Sequence, residues 1–224
     1  MKRYYFFLLF FFLTVCQSSY GQFYRKAHNY IGVKGGSSIS WMKFYPNTNP
    51  YTQLPTDASS FNGYQVGLVF RNMSEEHVGI LAEINYTQKG WQEKDRVGIT
   101  YSRRLNYIEV PVMTHISIGK KNFRAFINIG PSVSFLLSEE EKKEVTVPGA
   151  KPQNYYGVPL DKTFDFAFCG GAGLEYRFSH QAILLEGRYT LSLLNVFDDG
   201  TIGYASSRNQ NIGITLSWLY DFHK

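Results

Sequence analysis

Cysteine, proline and long hydrophobic segments are all scarce in this sequence of 224 residues. The two cysteines are Cys16 and Cys169, and removal of an N-terminal leader would leave one, so we expect no disulfide within the folded chain. The longest apolar run, residues 4–15, is shorter than the roughly 20 residues that a membrane-spanning helix needs. If the folded chain enters a membrane, we therefore expect it to do so with β-strands.

The N-terminus has the features of a cleaved signal peptide. A positively charged start precedes the apolar run 4–15, and Ser19 and Gly21 are small residues at the −3 and −1 positions that signal peptidase accepts. We predict that residues 1–21 are removed by cleavage after Gly21. The remaining residues, 22–224, are then long enough for a single domain.

The charge and the cysteines exclude several classes of function. The net charge of +5 falls to +3 when the leader and its two cations are removed, which is mild and indicates no nucleic-acid partner. Cys169 lies beside Gly170 and Gly171, and we predict a small packed side chain there rather than a reactive thiol. For Cys16 the alternative is lipid attachment, which the bulky Val15 before it disfavours.

Eight stretches of the chain alternate apolar with small or polar residues. This pattern is typical of strands with one apolar face, because successive side chains of a strand point to opposite sides. In the last stretch, Ile212, Ile214, Leu216, Trp218 and Tyr220 alternate with small or polar residues. The seven earlier strands are predicted at residues 30–40, 62–70, 78–89, 105–118, 123–137, 164–178 and 182–193.

The connections between these strands alternate in length. Long polar segments follow the first, third, fifth and seventh strands, at residues 41–61, 90–104, 138–163 and 195–208. Short turns follow the second, fourth and sixth strands, at residues 71–77, 119–122 and 179–181. This alternation is typical of outer-membrane barrels. We predict an all-β fold, an eight-stranded antiparallel up-and-down transmembrane β-barrel with short periplasmic turns and long extracellular loops.

The direction of the apolar face needs a separate argument, because a lipocalin-like soluble barrel has the same alternation with its apolar side inward. Aromatic residues are frequent near the predicted strand ends, as in the interfacial girdles of membrane barrels. The polar positions are rich in Gly, Ser, Asn and Thr and carry charges of both signs, which suit the interior of a small barrel. We therefore predict apolar side chains outward, against lipid.

A polar network is accordingly predicted inside the barrel. Since a lone buried carboxylate costs several kcal/mol, its acids need cationic partners. We expect Glu175, Glu186 and Arg188 to share one group with Arg124 or Arg177. The complete predicted interior network is Glu83, Glu109, Arg124, Glu175, Arg177, Glu186 and Arg188.

Several segments of the chain resemble the PorT-like outer-membrane β-barrel family. The resemblance covers nearly the whole mature chain and depends on the order and spacing of its segments. These are residues 32–36 (GVKGG), 88–90 (QKG), 107–112 (YIEVPV), 128–133 (NIGPSV), 165–166 (DF) with 171–176 (GAGLEY), and 185–190 (LEGRYT). One departure is the C-terminus, where His223 and Lys224 follow Phe222, whereas barrel-assembly machinery often recognises a terminal aromatic residue.

The resemblance implies a small, non-enzymatic outer-membrane barrel that brings no catalytic residues and no cofactor. An eight-stranded barrel is about filled by its own side chains, so we expect a plugged interior and no diffusion pore. The expected partners are outer-membrane lipid, the barrel-assembly machinery during biogenesis, and proteins bound through the extracellular loops, above all residues 138–163. A second hypothesis is a component of type IX secretion machinery, as the family's namesake is.

Catalytic and metal-binding patterns are weak in this chain. His115 is the one mature histidine within a predicted strand, and no triad partners can be assigned to it. Asp198-Asp199-Gly200 lacks the spaced ligands of a calcium loop and is predicted to be a turn. The charged residues 139–144 are predicted to form a solvated loop face, with surface binding as the alternative. A lipid-acting enzyme that uses His115 is the third hypothesis.

Overall fold

Eight antiparallel strands close into a barrel in the computed structural model, which describes residues 27–46, 58–94, 99–145, 157, 160, 162–196 and 204–222. The strands are β1 (His28–Pro46), β2 (Ala58–Met73), β3 (Val78–Lys94), β4 (Ile99–Lys120), β5 (Phe123–Val145), β6 (Phe164–Phe178), β7 (Gln181–Ser192) and β8 (Tyr204–Asp221). Each strand pairs with its successor, and β8 pairs with β1, with Val33 opposite Trp218. The predicted closed eight-stranded fold is therefore confirmed. Within the described ranges no helix is long and apolar enough to cross a membrane.

The apolar side chains point out of the barrel and the polar ones point in. On β8, Ile212, Leu216 and Trp218 are 44%, 58% and 45% exposed, whereas Glu186 and Arg188 on β7 are 3% and 8% exposed. A water-soluble barrel has the reverse arrangement, because it buries its apolar face. The predicted orientation is confirmed, and the lipocalin-like alternative is wrong.

The exposed apolar side chains form a continuous apolar band around the barrel. Every strand contributes to it, for example through Ile31, Leu68, Ile84, Val112, Ile127, Leu174, Leu185 and Leu216. Aromatic residues lie toward both edges of the band. The indole of Trp218 donates to Gln181 Oε1 over 2.9 Å near one edge, and Trp41 donates to Gln210 Oε1 over 3.0 Å near the other. Such amphipathic rings suit the two membrane interfaces.

The two ends of the barrel differ. At the turn end, residues 74–77, 121–122 and 179–180 connect the strands, and Lys121 and Ser179 adopt the positive φ values of tight turns, 57° and 51°. At the loop end, β1, β3, β5 and β7 end at Pro46, Lys94, Val145 and Ser192, and β2, β4, β6 and β8 begin at Ala58, Ile99, Phe164 and Tyr204.

The strands continue much further toward the loop end than the sequence pattern predicts. The segment 90–104, predicted as a loop, is largely strand, because β3 runs to Lys94 and β4 begins at Ile99. In the same way β5 runs to Val145, so that residues 138–145 are strand rather than loop. The physical reason is pairing: these polar residues keep the ladder of β4 and β5 in register and bury large side chains on its inner face.

The signal peptide predicted at residues 1–21, including Cys16, lies outside the described residues. So do the predicted turn 198–200 and most of residues 146–163, the second part of the predicted loop 138–163. Cys169 is buried, and its Sγ lies 3.6 Å from the Thr190 hydroxyl.

Candidate functional site: the barrel interior

The middle of the interior holds four charged side chains that neutralise one another. Arg188 on β7 donates to both carboxylate oxygens of Glu83 on β3, over 2.7 and 2.8 Å, and to Glu186 over 2.7 and 3.0 Å. Lys34 on β1 donates to Glu83 over 3.0 Å, and Asn85 adds a further donor over 2.8 Å. Because the bidentate fork of Arg188 spans the lumen between opposite strands, it ties the two walls of the barrel together.

A second ionic group lies closer to the turn end. Glu175 on β6 accepts from Arg71 on β2 over 2.8 Å and from Arg177 over 2.7 and 3.1 Å. The guanidinium of Arg71 also stacks over the Tyr30 ring, with its carbon 4.2 Å from the ring centroid. Arg71 and Glu175 have no solvent exposure, so this pair is stable only while both partners are present.

The imidazole of His115 and the amide of Asn128 lie between these two ionic groups. His115 Nε2 lies 3.9 Å from Glu175, and His115 Nδ1 lies 2.8 Å from the amide oxygen of Asn128. The Asn128 amide donates onward to Glu186 over 2.9 Å. His115 is fully buried and stacks against Phe126 with ring centroids 5.2 Å apart. Asn128 and His115 therefore lie between Glu175 and the group around Arg188, with His115 Nε2 beyond hydrogen-bond distance of Glu175.

A third ionic group lies on the loop side of the middle. Glu109 on β4 contacts Lys89 on β3 and accepts from Thr87 over 2.8 Å and from Ser134 over 3.3 Å. Asp165 nearby accepts a hydrogen bond from Ser192. Within the described part of the chain, no group of three or more His, Cys, Asp or Glu side chains is arranged to hold a metal ion.

Above these ionic groups, an aromatic plug fills the interior at the loop end. A bulge between Asn106 and Tyr107 in the β4–β5 pairing leaves both residues and Leu105 buried in succession. Trp91 and Tyr101 pack beside them with ring centroids 6.4 Å apart. The plug comprises Met42, Trp91, Tyr101, Leu105, Tyr107 and Val196, with Leu136 and Leu160 packed against it. It separates the polar interior from the loop end.

Charged pairs also surround the plug. Arg103 donates to Glu139 over 2.6 Å and lies 3.2 Å from Glu141, while the Tyr101 hydroxyl donates to Glu141 over 2.8 Å. Burial and this hydrogen bond raise the pKa of Tyr101 above its usual range, so the phenol remains a donor at neutral pH. These contacts fasten β4 to β5 beyond the apolar band.

Six of the seven sequence-predicted site residues lie in the ionic groups just described. The seventh, Arg124, is buried at the turn end, where it donates to the backbone oxygen and the carboxylate of Glu76 over 3.1 and 3.3 Å. Arg177, not Arg124, contacts Glu175. Arg124 instead lines a cavity of about 410 Å³ at the turn end, together with His28, Tyr30, Met73, Ser74, Glu75, Glu76, Arg177, Ser179 and Asp221.

The predicted network omits several interior residues, among them Lys34, Arg71, Lys89 and Asn128. Lys34 and Asn128 occupy polar positions of recognised strands, so their alternation could have identified them. Arg71 fell within a predicted turn, whereas β2 continues to Met73 and turns Arg71 inward. Lys89 is the last residue of the predicted third strand. The alternation of inward and outward side chains continues past it to Lys94, and this continuation could have placed Lys89 on the inner face.

Two neighbouring glycines on β6 allow a direct test of the interior packing. A Cβ added at Gly171 would lie 2.3 Å from Glu186 Oε1, whereas a Cβ at Gly170, on the outer face, would meet nothing within 4 Å. We expect Gly171→Ala to lower the free energy of unfolding by about 1–3 kcal/mol, because the Glu186 carboxylate must move away from Arg188. Urea unfolding in lipid vesicles measures this difference.

Gly170→Ala is the matched control, with an expected stabilisation of up to about 1 kcal/mol, because alanine reduces the freedom of the unfolded chain. Equal effects of the two substitutions would contradict the proposed packing of Glu186 against Gly171.

A closed eight-stranded antiparallel barrel with an apolar outer band and a charged interior defines the class of outer-membrane β-barrels. Residues 21–198 match the family described as outer membrane protein beta-barrel domain. The chain belongs to this family, which supports a location in the outer membrane. No curated protein matches the chain.

Solved structures of outer-membrane proteins have a similar fold. The structure of OprG from Pseudomonas aeruginosa aligns with a TM-score of 0.55 at 15% identity, over 89% of this chain and 98% of that one. Ail of Yersinia pestis aligns with a TM-score of 0.42 at 12% identity, over 86% and 99% of the two chains. The outer membrane enzyme PagL aligns with a TM-score of 0.41 at 10% identity, over 84% and 97%. At these identities the likeness concerns the fold alone.

Proposed function

We propose that this protein is a non-enzymatic membrane anchor that binds protein partners through a rigid extension of its barrel at the extracellular end. In outer-membrane barrels the longer connections face the outside of the cell, which makes the loop end extracellular and the turn end periplasmic. The observation that best supports this proposal is that three adjacent strands extend past the apolar band. We call residues 91–94, 99–105 and 138–145 of β3, β4 and β5 the rim sheet.

The outward positions of the rim sheet change from apolar to polar. Ser102 lies opposite Lys142 and Arg104 opposite Glu140, with an ion pair between the second two. A groove of about 320 Å³ crosses this face, lined by Phe61, Gln92, Thr100, Ser102, Arg104, Glu140, Lys142 and Glu144. Charges of both signs around one aromatic ring suit a polar protein segment.

The closed interior supports a binding role rather than transport. Among the described residues, three ionic groups and the aromatic plug occupy the lumen between the turn-end cavity and the loop end. An eight-stranded barrel with such a filling leaves no room for a diffusion path.

The position of His115 disfavours a lipid-acting enzyme. Its ring lies within the lumen between Asn128 and Phe126, without solvent exposure. A catalytic base must come within hydrogen-bond reach of its substrate, and the barrel wall separates this ring from lipid.

Photo-crosslinking in intact cells tests the proposal. A photoreactive amino acid in place of Lys142, on the outer face of the rim sheet, is expected to give discrete protein adducts. The same amino acid in place of Lys120, at the turn end, serves as the matched control and is expected to give different adducts or none. Absence of adducts at position 142, or identical adducts at both positions, would contradict a partner at the rim sheet. Solute leakage from vesicles carrying the purified barrel would contradict the closed interior.

The identity of the adducts also tests the second hypothesis. Recovery of secretion-machinery proteins at position 142 would support a role in type IX secretion, as the resemblance to the PorT-like family suggests. Recovery of unrelated surface or exported proteins would support the membrane-anchor proposal and would contradict a role in type IX secretion.

A further inference from the structure

Two positively charged residues face each other directly on the outer wall, beyond the apolar band at the loop end. Lys43 on β1 lies opposite Arg208 on β8, and both side chains are exposed. Neither has an ion pair or hydrogen bond with another described residue. Like charges directly opposite in an antiparallel ladder repel and destabilise the sheet. An anion held between the two side chains would relieve this repulsion.

The positions below this pair on the same two strands indicate which anion. Moving from the band toward the loop end, the outward pairs are Ile39 with Ile212, then Trp41 with Gln210, then Lys43 with Arg208. The chemistry changes in step from aliphatic to aromatic and amide, and finally to cationic. Since consecutive outward pairs are about 7 Å apart along a strand, the cations lie about 7 Å beyond Trp41.

This order matches the layers of one leaflet of a membrane. The isoleucines are 44% exposed, as lipid-facing residues are. The Trp41 indole, 6.5 Å from the Tyr189 ring, has the position of an interfacial aromatic residue. The headgroup region adds roughly 5–8 Å to each side of the hydrocarbon core, so Lys43 and Arg208 fall within the headgroup layer.

We propose that Lys43 and Arg208 bind a phosphate group of an outer-leaflet glycolipid. One lipid molecule can contact all three pairs, with acyl chains on the isoleucines, a sugar against Trp41 and its phosphate between the two cations. The outer leaflet of the outer membrane is rich in such phosphorylated glycolipids. A guanidinium and an ammonium both donate charge-assisted hydrogen bonds to phosphate oxygens.

The β1–β8 face differs from the other cationic face of the extracellular wall. On the rim sheet, Arg104 is already paired with Glu140, and Glu144 lies near Lys142. Beside β8, the outward residue opposite Gln210 is the uncharged Leu191. No acidic residue among these described neighbours neutralises Lys43 and Arg208, so both cations are able to bind an external anion.

Binding of purified lipid A to the detergent-solubilised full-length barrel, measured by native mass spectrometry, tests this proposal. The wild-type protein is expected to prefer bisphosphorylated lipid A over its dephosphorylated form. In the double variant K43Q/R208Q, binding of the phosphorylated form should weaken about 25-fold, about fivefold for each cation removed. The charge-conserving variant K43R/R208K should stay within about twofold of wild type.

The double variant K120Q/K121Q is the matched control, because it removes the same charge at the turn end. It should leave lipid A binding unchanged. Faster migration of unheated than of boiled protein on a gel verifies that each variant is folded. Equal binding of both lipid A forms by wild type, or unchanged binding by K43Q/R208Q, would overturn the proposal. Complete competition by millimolar inorganic phosphate would also overturn it, since the pair would then be a site for free anions.

Discussion

Replacing Arg188 by methionine is expected to lower the free energy of unfolding by about 3–5 kcal/mol. Arg188 supplies four hydrogen bonds to Glu83 and Glu186, and its side chain is nearly inaccessible. Its removal leaves two buried carboxylates with Lys34 as the remaining cation in that group. Urea unfolding in vesicles, followed by tryptophan fluorescence, measures the loss.

Two further variants separate the charge effect from lost packing. The double variant R188M/E186Q also removes the second acid and leaves Lys34 paired with Glu83, so it should recover most of the stability that R188M loses. R104M breaks the exposed pair with Glu140 on the rim sheet, and its expected cost is below about 1 kcal/mol. If R188M and R188M/E186Q were equally unstable, the uncompensated charge would not be the cause of the loss.

The face of each strand could be predicted from the sequence because strand geometry leaves little choice. Successive side chains alternate, so the position of Glu186 in the chain places it on the same face as Arg188 and Leu184. The charge content then decides which face is inside, since a barrel wall with Arg188 against lipid would cost several kcal/mol. These two local rules suffice for the fold and its orientation.

The partners of the interior charges could not be predicted, because they depend on height along the barrel axis. The stagger between strands decides height, and no local pattern encodes it. Glu175 and Glu186 lie on successive strands, yet they belong to separate ionic groups with Asn128 and His115 between them. Arg124, three residues before Ile127 of the apolar band, is close enough to the turn end to pair with Glu76 instead.

The rim sheet was missed for a different reason. Its residues are polar on the outer face and charged even on parts of the inner face, which is the composition of a loop. Their strand conformation follows from long-range pairing of Arg103 with Glu139 and from burial of Trp91 and Tyr101 in the plug. Neither contact is visible in a short window of sequence. The segment that carries the proposed partner site is therefore the one that local pattern predicts least well.

Leu216→Arg is expected to destabilise the barrel by about 2–4 kcal/mol, because it places a guanidinium against hydrocarbon near the middle of the membrane. Leu216 is the central one of five outward apolar or aromatic residues on β8, between Ile214 and Trp218, and is 58% exposed. In a water-soluble barrel the same substitution at an exposed site would change the free energy of unfolding by no more than about 0.5 kcal/mol. The measurement is urea unfolding in lipid vesicles.

Ile118→Arg is the matched control, since Ile118 is more exposed than Leu216 but lies next to the turn after Lys120. At this interfacial depth the expected cost falls to about 0–1 kcal/mol, because the new side chain can reach water. In a water-soluble barrel both exposed sites would tolerate arginine within about 0.5 kcal/mol. A loss of about 2–4 kcal/mol for L216R beside a loss below about 1 kcal/mol for I118R would therefore support the membrane position of the apolar band, and small losses at both sites would contradict it.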